Sequence, residues 1–217
     1  PAAVALAIWG CLVLGLAGPR LLEPTDALPV SGRDLVLALD LSGSMEREDF
    51  LIDGREVRRL DAVKHVATAF VRGRGGDRVG LVLFGSEAFF ATPQTFDVEA
   101  VAAAIEGAEL GIVQRATAIS EALGLATKRL RESAAAAKVV VLLSDGQNNA
   151  GPVRPRDAAR LAAEHGIRVH TIAMGPRDLS DAEDPRDAVD AKTLAAIAEL
   201  SGGRTFRVRT TGDLVAV

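Results

Sequence analysis

The chain has 217 residues, 48% of them hydrophobic and 25% charged, a balance that excludes disordered, collagen-like and coiled-coil architectures and suits one α/β domain. A net charge of -4 gives no electrostatic footprint for nucleic acid. Cys11 is the sole cysteine, which excludes an internal disulfide and leaves the redox compartment open.

Residues 1–19 contain no charged side chain. At a rise of ~1.5 Å per residue such a stretch nearly crosses a hydrocarbon core of ~30 Å, so a transmembrane helix is expected there. The competing readings are a signal peptide and a buried core helix. A signal peptide would open on basic residues and carry a shorter apolar core. Ile8 to Cys11 faintly suggests a lipidation box, but Leu12 to Ala17 stay apolar where a lipoprotein turns polar. Pro19, Pro24 and Pro29 punctuate a linker over residues 20–33.

From residue 34 to 212 short apolar runs alternate with amphipathic stretches. Strands are expected at Asp34 to Asp40, Arg78 to Phe84, Ala88 to Ala91, Lys138 to Leu143, Ile167 to Met174 and Thr205 to Val208. Helices are expected around Leu60 to Val71, Val98 to Ile105, Ala118 to Leu130, Asp157 to Glu164 and Lys192 to Leu200. Strands that are apolar on both faces and separated by helices demand a mostly parallel sheet covered on both sides, with Ala88 to Ala91 as an antiparallel edge. The fold class is therefore α/β, doubly wound. The acidic stretch from Pro176 to Asp190 reads as a solvated loop, and Arg72 to Gly76 lacks phosphate-loop spacing and reads as a helix cap.

In such sheets ligands sit beyond the carboxyl ends of the strands. Asp40, Ser42 and Ser44 follow the first strand at a spacing of two, with Gly43 permitting a tight turn between them. Asp145 follows the most apolar strand, and Thr117 opens the helix in between. Singly, each has an ordinary explanation as a turn or a helix cap. Together they place five oxygen donors at one edge of the sheet, with no sulfur or imidazole, which suits Mg²⁺ or Mn²⁺ and suits Zn²⁺ poorly. No nucleophile with a base is apparent: Ser42 and Ser44 lack a histidine partner, His65 lies off the apolar face of its helix, His165 ends a helix, and His170 belongs to a strand.

The motifs DLSGS (Asp40 to Ser44), Thr117 and LLSDG (ending at Gly146) resemble the metal-ion-dependent adhesion site of von Willebrand factor type A domains. The stretches DLVLALDLSGSM, GDRVGLVLFGSEAF, TAISEAL, VVVLLSDGQNNAG and GIRVHTIAMG, after an apolar segment ending in LAGPR, resemble the bacterial Bat-type aerotolerance proteins. The resemblance implies Asp40, Ser42, Ser44, Thr117 and Asp145 as metal ligands, with the serines and the threonine direct and the aspartates partly through water. It further implies a non-enzymatic membrane-anchored module at the bacterial cytoplasmic membrane, its domain outside the cytoplasm. The expected partner is a protein offering an acidic residue to the metal, among other Bat-type subunits or a MoxR-type AAA+ ATPase. Met45, Glu46, Arg47 and Phe50, just past the ligand turn, are expected to form a partner-binding rim. Arg115-Ala116 stand where the family often has Asp-Gly or Gly-Gly, and 15 residues separate Ser44 from Leu60, longer than in many members. Two other readings stay open: a metal-dependent phosphohydrolase, which would want a second aspartate where Ser42 stands, and a structural membrane subunit whose site has lost its metal.

Overall fold

The computed structural model describes residues 2–17, 32–52, 55–110, 116–145, 148–175 and 189–208, and the chain divides into two compact units, Pro1–Val30 and Ser31–Val217. The first unit holds helix α1, Ala2–Ala17, which carries no charged residue. Its 16 residues reach about 24 Å at the α-helical rise, short of a hydrocarbon core of ~30 Å. Among the described residues no helix is long and apolar enough to cross a membrane, and residues 1, 18 and 19 of the segment expected to span lie outside them. Most of the proposed linker, and residues 209–212 at the far end of the proposed domain, lie outside the described residues.

The second unit alternates strands and helices in the order β1 (Arg33–Asp40), β2 (Phe50–Ile52), β3 (Arg55–Val57), α2 (Arg59–Arg72), β4 (Arg78–Phe84), β5 (Ala88–Thr95), α3 (Val98–Glu106), α4 (Ile119–Arg131), β6 (Ala137–Ser144), α5 (Pro155–Glu164), β7 (Ile167–Met174), α6 (Ala191–Leu200) and β8 (Thr205–Val208). Six strands make one sheet in the order β5-β4-β1-β6-β7-β8. Every neighbouring pair is parallel except β4 with β5. The period-two alternation of β1 explains the two layers. Leu35, Leu37 and Leu39 pack with Leu60, Val63, Ala67 and Val71 of α2 and with Val101 and Ile105 of α3. Val36 and Ala38 face the other way, toward Ile119 and Leu123 of α4, Ala158 and Ala162 of α5, and Leu194 and Ile197 of α6.

Two differences from the sequence reading have simple causes. Strand β5 runs past Ala91 to Thr95 through Pro93, because an edge strand tolerates a residue without an N–H, and the ladder with β4 shifts register between Val79 and Leu81. The antiparallel pair β2–β3 was not foreseen; three-residue strands are too short to show a period, although Asp53-Gly54 between them in sequence is a pair that hairpin turns favour. Gly73 caps α2, its N–H donating to the Ala69 carbonyl at 3.2 Å, as the helix-cap reading expected.

Candidate metal centre

Strand β1 carries Asp40 to the carboxyl edge of the sheet, where it pairs with Phe84 of β4, while β6 ends beside it on Ser144. The Ser144 hydroxyl donates to Asp40 Oδ2 at 2.5 Å. Asp40 Oδ1 accepts the backbone N–H of Ser42 at 2.8 Å, which folds the chain over the strand end. A single 3₁₀ turn, Gly43–Glu46, then brings Ser44 back so that Ser42 Oγ and Ser44 Oγ lie 3.0 Å apart. Asp145 follows Ser144 and is wholly buried, its carbonyl accepting the N–H of Asp190 at 2.8 Å.

Thr117 is held at the same edge from both sides. The next residue, Ala118, donates its N–H to the Gly85 carbonyl just past β4 at 2.6 Å. The Thr117 N–H donates to Asn149 Oδ1 at 2.7 Å, and the Thr117 carbonyl accepts the N–H groups of Asn149 and Ala150, each at 3.1 Å. Asn148 Oδ1 accepts from Ile119 N at 3.0 Å and so serves the first turn of α4, whose own N-cap residue, Ala118, has no side-chain oxygen. The segment after β6 thus fixes the segment before α4, and Asp40, Ser42, Ser44, Thr117 and Asp145 gather at one edge.

The electrostatics of that edge are unusual. Burial and the neighbouring Asp145 charge push the Asp40 carboxyl up to about 7, against the hydrogen bonds from Ser144 and Ser42 that favour its charged form. Two wholly buried carboxyls whose charges oppose one another would favour a cation beside them. Among the described residues no group of three or more His, Cys, Asp or Glu could hold a metal, so a metal here would need hydroxyl oxygens to complete its shell. The three hydroxyls at this edge are hard, uncharged donors that suit Mg²⁺ or Mn²⁺. Ser42 and Thr117 are buried whereas Ser44 is half-buried, so the approach from solvent lies on the Ser44 side.

The rim expectation needs correction at two positions. Met45 is 0% and Phe50 1% exposed, both packed in the core beside Leu41 and Leu60. They support the turn from beneath and cannot meet a partner's surface. Glu46 is exposed and Arg47 half-buried. Arg115 lies outside the described residues. Of the histidines, His65 and His165 are exposed, and His170 Nδ1 accepts the N–H of Arg204 at 3.1 Å. Burial, with the charges of Arg168 and Arg204, lowers the His170 pKa. The sequence reading gave no role to Ser144 within its LLSDG motif, nor to Asn148, Asn149 or Arg59, a wholly buried arginine at the start of α2. A polar pair directly after an acidic turn was the available sign of the two asparagines.

A sheet wound on both sides with a Ser- and Asp-lined carboxyl edge defines the class, and residues 34–217 match the von Willebrand factor type A domain family, to which the chain belongs. A UPF0353 protein of Nocardia farcinica is 30% identical over 244 aligned residues, spanning 100% of this chain and 70% of that protein. The chain spans 59–60% of the length of two other curated relatives, from Borreliella burgdorferi and Mycobacterium ulcerans. The conserved hypothetical protein BatB of Bacteroides thetaiotaomicron is 26% identical with a TM-score of 0.70, covering 84% of this chain and 94% of that one. An aerotolerance-related membrane protein of Bacteroides fragilis has the same fold, with a TM-score of 0.71 at 24% identity over 85% of this chain and 96% of that one. So does proximal thread matrix protein 1 from the mussel byssus, in a structure with a zinc-occupied MIDAS motif, with a TM-score of 0.64 at 20% identity over 85% of this chain and 43% of that one.

Proposed function

We propose that this domain is a protein-binding module whose contact with its partner depends on a divalent metal held by Asp40, Ser42, Ser44, Thr117 and Asp145. The observation that carries the reading is the pairing of two buried carboxyls with three hydroxyls at the carboxyl edge of the sheet. Mg²⁺ or Mn²⁺ fits these oxygens best; the zinc in the mussel protein's motif is a property of that protein and supports only a divalent ion here. Bound there, the ion would supply a Lewis-acidic position open to a carboxylate oxygen from the partner.

The chain's own residues do the rest. Ser144 and the Ser42 N–H orient the Asp40 carboxyl, the Asn149 contacts hold Thr117 in place, and exposed Glu46 and half-buried Arg47 stand at the rim where a partner's flanking residues would pass. The hydroxyl and carboxylate that pair at this edge, Ser144 and Asp40, are both wholly buried and out of a substrate's reach, which favours binding over hydrolysis. The name of the Bacteroides fragilis neighbour, an aerotolerance-related membrane protein, supports a place at a bacterial membrane; a domain outside the cytoplasm, with other Bat-type subunits or a MoxR-type ATPase as partners, belongs to the same proposal.

The test is metal titration of the chain followed by thermal melting. Mg²⁺ or Mn²⁺ at 100 times its Kd adds about 2.7 kcal/mol to the stability of the folded form. Asp145→Ala removes the gain. A wild-type melting curve unmoved by either ion at millimolar concentration refutes the site, and binding to an acidic partner that persists in chelator refutes the mode of recognition.

A further inference from the structure

Arg59 is the largest fully buried side chain among the described residues. Its guanidinium faces two carboxylates. On one side Nε donates to Asp49 at 2.8 and 2.9 Å, and a terminal nitrogen donates to the same carboxylate. On the other, Nη1 has no hydrogen-bond partner among the described residues and lies 3.9 Å from Asp145 Oδ2. The fold makes room for this arrangement. Gly175, at φ +139°, lies under the guanidinium, where a Cβ would sit 3.3 Å from Arg59 Cζ and 2.6 Å from Val189 Cγ2. The Arg59 N–H also donates to the Arg47 carbonyl at 2.7 Å, so the start of α2 is tied to the segment carrying Glu46 and Arg47.

We propose that Arg59 is a positioning residue that sets the metal affinity of the centre: it serves as a counter-charge for Asp145 and is itself balanced by Asp49 on the rim segment. This rests on the metal-binding reading above. A guanidinium beside a metal-ligating carboxylate opposes the incoming cation in two ways. It repels the ion through a low-dielectric interior, and it competes for the carboxylate oxygen. Asp49 moderates both effects by drawing the guanidinium to its other side. Because the Asp49 side chain is 27% exposed and belongs to the rim segment, a partner that engages Asp49 would release Arg59 toward Asp145 and weaken the metal, and one that leaves Asp49 on Arg59 would preserve it.

The two ends of this relay predict opposite signs. With Mn²⁺ as the probe and free-ion electron paramagnetic resonance on the full chain as the readout, Arg59→Met should tighten Mn²⁺ binding about tenfold or more. Arg59→Lys, which keeps the charge, should stay within about threefold of wild type. Asp49→Asn keeps an acceptor oxygen but loses the balancing charge, so it should weaken Mn²⁺ binding at least threefold. A residue that only holds the fold together would weaken binding when altered at either end. If wild type binds Mn²⁺ and Arg59→Met binds it equally or more weakly while remaining folded, the relay is overturned and the metal site stands. Should Arg59→Met fail to fold, Asp49→Asn decides, and unchanged or tighter binding there overturns the proposal. Failure of the wild type to bind Mn²⁺ overturns the metal reading and this inference with it.

Discussion

Replacing Asp40 by asparagine should stabilise the metal-free domain while abolishing its response to metal. Asp40 is wholly buried against Asp145, and its carboxyl is displaced upward from 3.8 to about 7. A group whose pKa is raised in the folded state binds more protons folded than unfolded across that interval, so stability falls as pH rises from about 4 to 7 and the penalty is complete above it. A tenfold change in acidity is worth about 1.4 kcal/mol, which bounds the penalty near ~4 kcal/mol. Asparagine has the same shape, cannot ionise, and retains an oxygen for the Ser42 N–H, while its amide can donate to the Ser144 hydroxyl. Part of the penalty should therefore be recovered, about 1–3 kcal/mol, or roughly 2–12 °C in Tm for a domain of this size. The assay is thermal melting in chelator at pH 5 and pH 8, repeated with Mg²⁺. Wild type should lose Tm between the two pH values and Asp40→Asn should not, whereas Mg²⁺ should raise only the wild type. An Asp40→Asn protein that melts below wild type in chelator at pH 8 would show that the buried carboxylate is already well accommodated, and the argument for a cation site would fail.

Two other expectations follow from burial and charge. Phe50→Ala should lower stability by about 3–5 kcal/mol, because the ring is 1% exposed in the core, whereas Glu46→Lys should change stability by less than about 0.5 kcal/mol and act on partner choice alone; chemical denaturation of both variants separates a supporting residue from a surface one. At the opposite edge of the sheet, burial would raise the Asp34 carboxyl, but hydrogen bonds from Arg78 and Ser133 and the Arg78 charge outweigh it and hold its pKa below 3.8. The stability this group contributes is complete above about pH 4 and disappears as pH falls through the depressed value, so the gap between wild type and Asp34→Asn, about 1–3 kcal/mol, should be constant above pH 5 and close in stronger acid. A gap that widens on acidification would contradict it.

The long parallel strands were legible because burial on both faces leaves an unbroken apolar run, and Arg78–Phe84, Ile167–Met174 and Thr205–Val208 fall where the periodicity predicts. The gathering of Asp40, Ser42, Ser44, Thr117 and Asp145 at one edge was equally legible, since each directly follows a strand or opens a helix and the carboxyl ends of parallel strands face the same way. The rim was misread at Met45 and Phe50 because position along a loop does not say which way a side chain turns. A 3₁₀ turn points Met45 inward, and Phe50 opens a short hairpin whose pairing with residues 55–57 no local period announces. Arg59 was invisible for a related reason. An arginine before an amphipathic helix normally faces water, and only the tertiary meeting of α2 with the ends of β6 and β7 buries this one between Asp49 and Asp145.

The two ends of the sheet treat a buried aspartate in opposite ways, and the contrast is the physical argument for a ligand. At the amino end Asp34, 2% exposed, is paired by Arg78 and bonded by Ser133 at 2.5 Å, and its charged form is favoured. Arg33 and Asp77 form a second pair there at 3.1 Å. The protein has completed that end itself. At the carboxyl end hydrogen bonds from Ser144 and Ser42 favour the charged form of Asp40, but burial and the neighbouring Asp145 carboxylate outweigh them, so its charged form is disfavoured. Arg59 stands 3.9 Å from Asp145 and donates its hydrogen bonds to Asp49 instead. Both edges belong to the same well-packed sheet, so the imbalance at one of them is not a general failure to satisfy buried charge. Sites that break local rules in an otherwise consistent structure are where function resides. Here the broken rule is buried negative charge beside hydroxyl oxygens, and a divalent cation, as proposed above, would both neutralise the charge and use the hydroxyls.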